Sequence, residues 1–342
     1  MSILGLDIGG ANIKAADSTG HTICRPFAIW KHPDQLSEQI ASMCREFPDV
    51  HSLAVTMTAE LADCFTTKAD GVRFILDQIE AANHQRPCIV WTTAGRFVTT
   101  DEARRQPMLV AAANWHALAT WVGRHVCLES KSLPGRSSVV LDIGTTTTDI
   151  IPLVDGVPVT AGLTDLDRLR SGELCYSGVK RTPLCAVAHS VPFRDGYCSL
   201  AAELFATTLD VYLLLEDIRE DENDLETANG KPATKLAARD RIARLLCADR
   251  DEITIDETLQ VARFLADVQR QRLAGALDRV IHRLPNPCES VVISGSGSFL
   301  ARRLIADNRR LTNAKVASID EIMSPEIAEA ACAYAVGQLS RE

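Results

Sequence analysis

The sequence predicts an α/β protein of two domains with a cleft between related halves, and three observations predict it. The chain has 342 residues, against roughly 100–200 for a typical domain. The segment LDIGGANIK at 6–14 returns as LDIGTTTTD at 141–149, so one hydrophobe-Asp-Ile-Gly turn stands in each half. Around both turns, short strand-like runs alternate with longer stretches of helical period.

In chain order, residues 2–8 and 11–17 flank Gly9-Gly10 as a hairpin, and 21–30 extends it to a meander. Helical spacing follows over 34–47 after Pro33-Asp34, then a strand over 51–58, a helix over 71–83 and a strand over 88–91. A long apolar helix is expected over 107–122, carrying Trp115 and His116, and the polar segment 129–138 has linker composition. The second half repeats the opening hairpin over 139–159. A polar, glycine-punctuated loop over 162–182 follows, then helices over 200–218, 235–246 and 255–284. A strand over 289–293 runs into the loop SGSGS and a helix over 299–305; a strand over 314–318 and a helix over 325–339 close the chain. The predicted domains are 1–130 and 138–320, with 325–342 packing back onto the first.

Composition narrows the partners. Hydrophobic residues make up 46% and charged residues 24%, a globular balance without long disordered tracts. Thirty-six Lys and Arg against 45 Asp and Glu give a net charge of −9, which argues against nucleic acid or an anionic membrane as partner. The first residues lack the basic and uninterrupted apolar regions of a secretory signal, and no apolar run has the roughly 18 residues of a membrane-spanning helix. Eleven cysteines without a C-x-x-C pair fit neither a zinc ribbon nor a disulfide framework. A cytoplasmic protein acting on small molecules is expected, with a homodimer left open.

The repeated turn is chemically legible. Glycine lets the backbone approach phosphate oxygens, following amides and Asn or Thr side chains donate hydrogen bonds, and the aspartate meets the anion through Mg²⁺ or its water. Asp7 and Asp142 are the first candidates, as ligands of Mg²⁺ water or, for one of them, as a base. Gly9, Gly10 and Asn12 belong with the first turn, and Gly144, Thr145, Thr146 and Thr147 with the second. Lys14, two residues beyond Asn12 on the same strand face, can neutralise a phosphate oxygen. The plain alternative is a tight hairpin whose Asp satisfies turn amides.

These elements resemble the actin, hexokinase and Hsp70 superfamily, with residues 7–14 similar to its first phosphate motif, 142–149 to its second and 291–299 to its adenosine loop. That resemblance implies two ribonuclease-H-like domains and an interdomain cleft. A narrower resemblance covers nearly the whole chain: LDIGGANIKAAD, TMTAELADCFTTKADGV, AAANWHALA, LDIGTTTTDIIPL, SGELCYSGVKRTPLCAV, AAELFATTLDVY and SGSGSFLARRL resemble the tetrahydromethanopterin-linked C1-transfer pathway protein family. That family is hydantoinase/oxoprolinase-like and includes synthases of methanofuran biosynthesis. Ala59 stands where the family pattern has Gly.

The resemblance implies a transferase that condenses an aminofuranylmethyl diphosphate with the phenol of a tyramine or tyrosine unit, releasing diphosphate. ATP is then not a substrate; it would be under the rival readings, a small-molecule kinase or a nucleotide-binding regulatory ATPase. For this chemistry Glu60 is a candidate phenol base or amine ligand, and Asp149 a third cleft carboxylate. Glu173, Tyr176, Lys180 and Arg181 fall in the glycine-punctuated loop, where a mobile lid would bring Arg181 onto diphosphate. Gly295 and Gly297 would bind part of the acceptor or preserve the fold, and Trp115 and His116 read as packing residues.

Overall fold

The computed structural model describes residues 2–83, 85–127 and 135–342. The first half runs β1 (Ser2–Ile8), β2 (Asn12–Ala16), β3 (Thr22–Pro26), α1 (Leu36–Arg45), β4 (Val50–Met57), α2 (Lys68–Ala82), β5 (Cys88–Trp91), β6 (Phe97–Thr99), α3 (Thr100–Arg105) and α4 (Asn114–His125). The second opens with β7 (Ser137–Ile143), β8 (Thr148–Val154), β9 (Val157–Pro158), α5 (Asp165–Ser171), β10 (Leu174–Cys175), α6 (Leu184–Val187), β11 (Ser190–Phe193) and β12 (Gly196–Ser199). It continues through α7 (Thr208–Leu214), α8 (Lys235–Leu245), α9 (Ile255–His282), β13 (Cys288–Ser294), α10 (Ser298–Asp307) and β14 (Lys315–Ser318), and the chain ends with α11 (Ile319–Ile322), α12 (Pro325–Glu329) and α13 (Ala331–Leu339).

The duplication read from the repeated turn is visible in the sheets. The first has the order β3-β2-β1-β4-β5-β6 and the second β10-β8-β7-β13-β14. In each, the motif strand (β1 or β7) lies between an antiparallel hairpin partner and a parallel strand that follows a helical crossover. Both motif turns therefore leave the carboxyl ends of central strands, the edge where open α/β sheets bind ligands.

Three apolar clusters define five layers. Helices α1 and α2 cover one face of the first sheet, and α7 to α10 cover the far face of the second. Between the sheets lie α4 and α13, where Leu118, Val122, Ala335 and Val336 meet Ala54 of β4 and Val140, Ile151 and Val292 of the second sheet. Two glycines make this layer thin. A Cβ on Gly5 would stand 1.9 Å from the Ala333 carbonyl oxygen, and one on Gly123 1.9 Å from that of Gly156.

Several elements differ from expectation for local reasons. The helix expected over 107–122 begins only at Asn114, because Ala112 takes a φ of 48° and breaks the run after a single 3-10 turn. The helix expected over 200–218 shrinks to α7, set by a capping box between Thr207 and Asp210. The hairpin of β11 and β12, together with β6 and α3, was not anticipated. The closing helix is two, α12 and α13, broken at Ala330. Of the expected linker, residues 129–134 lie outside the described residues, while Ser137 and Ser138 already belong to β7.

Gly5→Ala should cost about 3 kcal/mol, because the added methyl must displace α13 from β1. Urea unfolding followed by circular dichroism would show it as a lowered midpoint.

Candidate active site

The first turn is tied by the Gly9 amide donating to the Asn12 carbonyl at 2.9 Å, and the second by the Gly144 amide donating to Thr147 at 2.9 Å. Asp7 sits on β1 opposite Lys14 in the β1–β2 hairpin, and Asp142 opposite Asp149 in the β7–β8 hairpin. The cleft brings these groups into one electrostatic cluster. Burial pushes Asp7 up to about 6, against the pull of Lys14. Burial and then Asp149 push Asp142 to about 6, with Lys14 opposing and Asp7 adding repulsion. Burial works against the charge of Lys14, yet Asp7 and Asp142 help hold its pKa above the usual value. Its ammonium also donates to the Glu329 carbonyl at 2.8 Å, so the C-terminal segment positions it.

Asp149 is engaged inside the protein. Its carboxylate takes a bond of 2.8 Å from the buried Arg168 guanidinium, which also donates to the Glu173 carbonyl at 3.1 Å and lies 3.9 Å over the Trp115 ring. Arg168 comes from α5 and Trp115 from α4, so this stack joins the halves. One turn earlier on α5, Asp165 pairs with Lys68 of α2 at 3.2 Å. Glu60 lies beside that pair, in the 3-10 turn Ala59–Leu61 that follows β4. It is 1% exposed, and neither carboxylate oxygen has a side-chain partner among the described residues. Burial raises Glu60 to about 7; its own backbone amide first, then Lys68 and the Ala112 backbone, offset this and the repulsion of Asp165 only in part.

The loop expected to be a mobile lid is a fixed wall. It contains α5 and β10, and Glu173 is fully buried, accepting from the Ala161 amide at 2.7 Å and from Arg283 at 2.8 Å. Glu173 is therefore engaged inside the protein and not on a loop surface. The amides of Val179, Lys180 and Arg181 donate to the carbonyls of Gly144 and Thr145, pinning 179–181 to the threonine turn. This requires Gly178, where a Cβ would lie 2.5 Å from Thr145 C and Thr146 N. Tyr176 is exposed, and Lys180 pairs with Asp224 at 3.6 Å. Arg181 lies 5.4 Å from the Trp30 ring centroid. Since the Ile29 amide donates to the Gly10 carbonyl, that contact bridges the two motif turns.

Gly295, at φ 84°, and Gly297 let the loop after β13 close onto β7: their Cβ atoms would meet Asp142 Oδ1 at 2.5 Å and Ile143 Cγ2 at 2.4 Å. They keep Asp142 in place. His116 is buried and accepts from Trp91 Nε1 at 3.3 Å; burial and then Arg168 hold it down at about 4, so it stays neutral. Sequence reasoning missed Arg168, Lys68, Asp165, Trp30, Gly178 and Cys332, the last a thiol pushed well up by burial and by Asp7 and Asp142. A helix-start signal, Thr164 with Asp167 three residues on, marks α5 and could have exposed Arg168.

The donor set accommodates a hydrated divalent cation. Asp7 Oδ1 is buried without a hydrogen-bond partner among the described residues, and no three His, Cys, Asp or Glu converge there. Mg²⁺ keeps its water and uses one or two carboxylates with substrate phosphates.

The family model described as Hydantoinase/oxoprolinase matches residues 52–338. The chain belongs to the hydantoinase/oxoprolinase family. Within this family setting, a protein of Methanocaldococcus jannaschii named (4-{4-[2-(gamma-L-glutamylamino)ethyl]phenoxymethyl}furan-2-yl)methanamine synthase is 34% identical over 98% of this chain and 97% of its own length. A protein of Methanococcus vannielii with the same name is 31% identical over 60% of this chain and 90% of its own. Among solved structures, nucleotide-free acetone carboxylase is 11% identical, covers 98% of this chain with 70% of its own, and has a TM-score of 0.55. That likeness is one of fold alone, a mixed α/β architecture. No helix among the described residues is long and apolar enough to cross a membrane.

Two outcomes are expected. Gly178→Ala should displace the threonine turn and lower kcat/KM about a hundredfold, with an unchanged far-ultraviolet spectrum. Protonated Glu60 stabilises the fold fully below its ordinary value of 4.5, and this is lost as pH rises through about 7. Glu60→Gln should thus be about 2–3 kcal/mol more stable than wild type at pH 8 and no more stable near pH 4.5, read by urea unfolding.

Proposed function

We propose that the protein is an ether-forming transferase: the phenol oxygen of a tyramine or tyrosine unit displaces diphosphate from an aminofuranylmethyl diphosphate. The observation that carries this reading is the match to the Methanocaldococcus jannaschii synthase along 98% of the chain. The printed name of that relative contains both the phenoxymethyl linkage and the methanamine that such a reaction would leave in the product.

The arrangement of charges supports it. A new bond forms from phenol oxygen to the furan methylene, the bond from that carbon to the diphosphate oxygen breaks, and the phenol proton must leave. Asp142 is the carboxylate we assign to take that proton, since burial and Asp149 oppose its negative charge and a raised pKa suits a base working near neutrality. Lys14 and the amides of the two motif turns face the leaving diphosphate. Mg²⁺, when bound at Asp7 through water, would neutralise the diphosphate oxygens. Arg181, fixed at the threonine turn, supplies a second cation at the mouth of the cleft.

With Mg²⁺, the furan diphosphate and either phenol, and no ATP, the purified protein should release diphosphate and form the ether, read by mass spectrometry. Asp7→Asn and Asp142→Asn should each lower kcat at least about a hundredfold. No ether from either phenol, with ADP formed from ATP and a polar metabolite, would overturn the transferase in favour of a kinase.

A further inference from the structure

Resting on the transferase reading, we infer that Glu60 is the receptor for the primary ammonium of the furan substrate, the group at the end of the molecule remote from the diphosphate. The two ends of that substrate carry opposite charge. The Asp7–Lys14–Asp142 end of the cleft is built for the anion, and the Glu60 end has the chemistry for the cation.

The first argument is charge balance. Around the joint between α5 and the first half stand three carboxylates, Glu60, Asp149 and Asp165, and two cations, Lys68 and Arg168. Lys68 is matched to Asp165 at 3.2 Å and Arg168 to Asp149 at 2.8 Å. Glu60 is the carboxylate left over. It is 1% exposed, and only backbone, its own and that of Ala112, approaches its carboxyl, with no ion-pair partner among the described residues, an arrangement that buried carboxylates avoid unless something arrives to pair with them.

The second argument is placement. The Glu60 turn leaves the carboxyl end of β4, whose Thr56 is the register partner of Asp7, so both carboxylates border the same edge of the first sheet. Asp165 and Arg168 are one helical turn apart on α5, and they meet Lys68 and Trp115 respectively. Trp115 Nε1 is also buried without a partner among the described residues. A buried carboxylate on the sheet edge that also carries Asp7 suits the ammonium of a substrate whose other end is anionic.

The third argument is fixity. Gly71 of α2 packs its Cα against the Glu60 backbone, where a Cβ would fall 2.4 Å from the Glu60 carbonyl oxygen. The receptor is thus held on a rigid joint, and it would orient the furan so that its methylene meets the phenol.

The test uses the full-length protein with the aminomethylfuran alcohol, which lacks the diphosphate and does not react, and with its N-acetyl form, titrated by calorimetry into wild type and E60Q. Wild type should bind the amine about ten- to a hundredfold more tightly than the acetamide, and E60Q should bind both equally weakly. In turnover, E60Q should raise KM for the furan diphosphate by a similar factor and lower kcat as well, since the furan is no longer oriented, with the phenol KM within a few-fold of wild type. Equal binding of the amine by E60Q and wild type, or no preference of wild type for the amine, would overturn the inference. So would a fall in kcat at unchanged furan KM, which would make Glu60 the base. Absence of ether from wild type marks failure of the transferase reading separately, and the calorimetric comparison still decides the amine site.

Discussion

One buried guanidinium holds the cleft in register. Arg168 is 1% exposed and touches Asp149, the Glu173 carbonyl and the face of Trp115. A charge so thoroughly removed from water is tolerated only while its partners remain in place, so the contacts fix one another. Asp149 is thereby held opposite Asp142, and α4 is held against α5. Arg168 also sets the electrostatic tone of the site. It pulls Asp149 down against the burial that still holds that carboxyl above its usual value, and Asp149 in turn adds to the burial that raises Asp142.

The remaining charges are unbalanced in opposite senses at the two ends of the cleft. Asp7, Asp142 and Lys14 form a cluster with an excess of carboxylate that a hydrated cation and a diphosphate would complete, whereas Glu60 alone lacks a counter-ion. Both ends carry desolvated groups that raise the energy of the ligand-free fold. Binding a molecule with an anionic and a cationic end would relieve both at once. The stability forgone by burying these charges is the source of the site's selectivity.

How much was legible follows from where each residue's geometry is decided. Asp7 and Asp142 were readable because a glycine hairpin is dictated by local backbone chemistry and its repetition is visible along the chain. Glu60 was readable from its place just past a strand. Arg168 was not, because its meaning depends on Asp149 and Trp115, 19 and 53 residues away in sequence. The same gap explains Glu173: a charged residue in a polar stretch reads as solvated, and only its contacts with Arg283, just past α9, and the Ala161 amide show that it is buried. Helices α4 and α13 lie between two sheets and are apolar nearly all round, so periodicity could announce them but not say what covers each face. The overlong helix at 200–218 shows the converse, where apolar content suggested continuity and one capping box set the start.

The fold itself does not choose between phosphoryl transfer and displacement of diphosphate. Both reactions need phosphate oxygens held by backbone amides and cations at two facing turns, so the repeated Asp-Ile-Gly motif serves either. What differs is the atom attacked. A kinase aligns an acceptor oxygen with phosphorus, while an ether-forming enzyme aligns it with the carbon on the far side of the bridging oxygen. That shift of two bonds must be enforced by whatever grips the carbon skeleton beyond the diphosphate. In this protein the elements beyond the turns are rigid: residues 179–181 are pinned to the threonine turn, and Glu60 is wedged against Gly71. Fixing both ends of the electrophile selects its methylene as the point of attack, and in this way a cleft built for phosphate becomes one for making carbon–oxygen bonds.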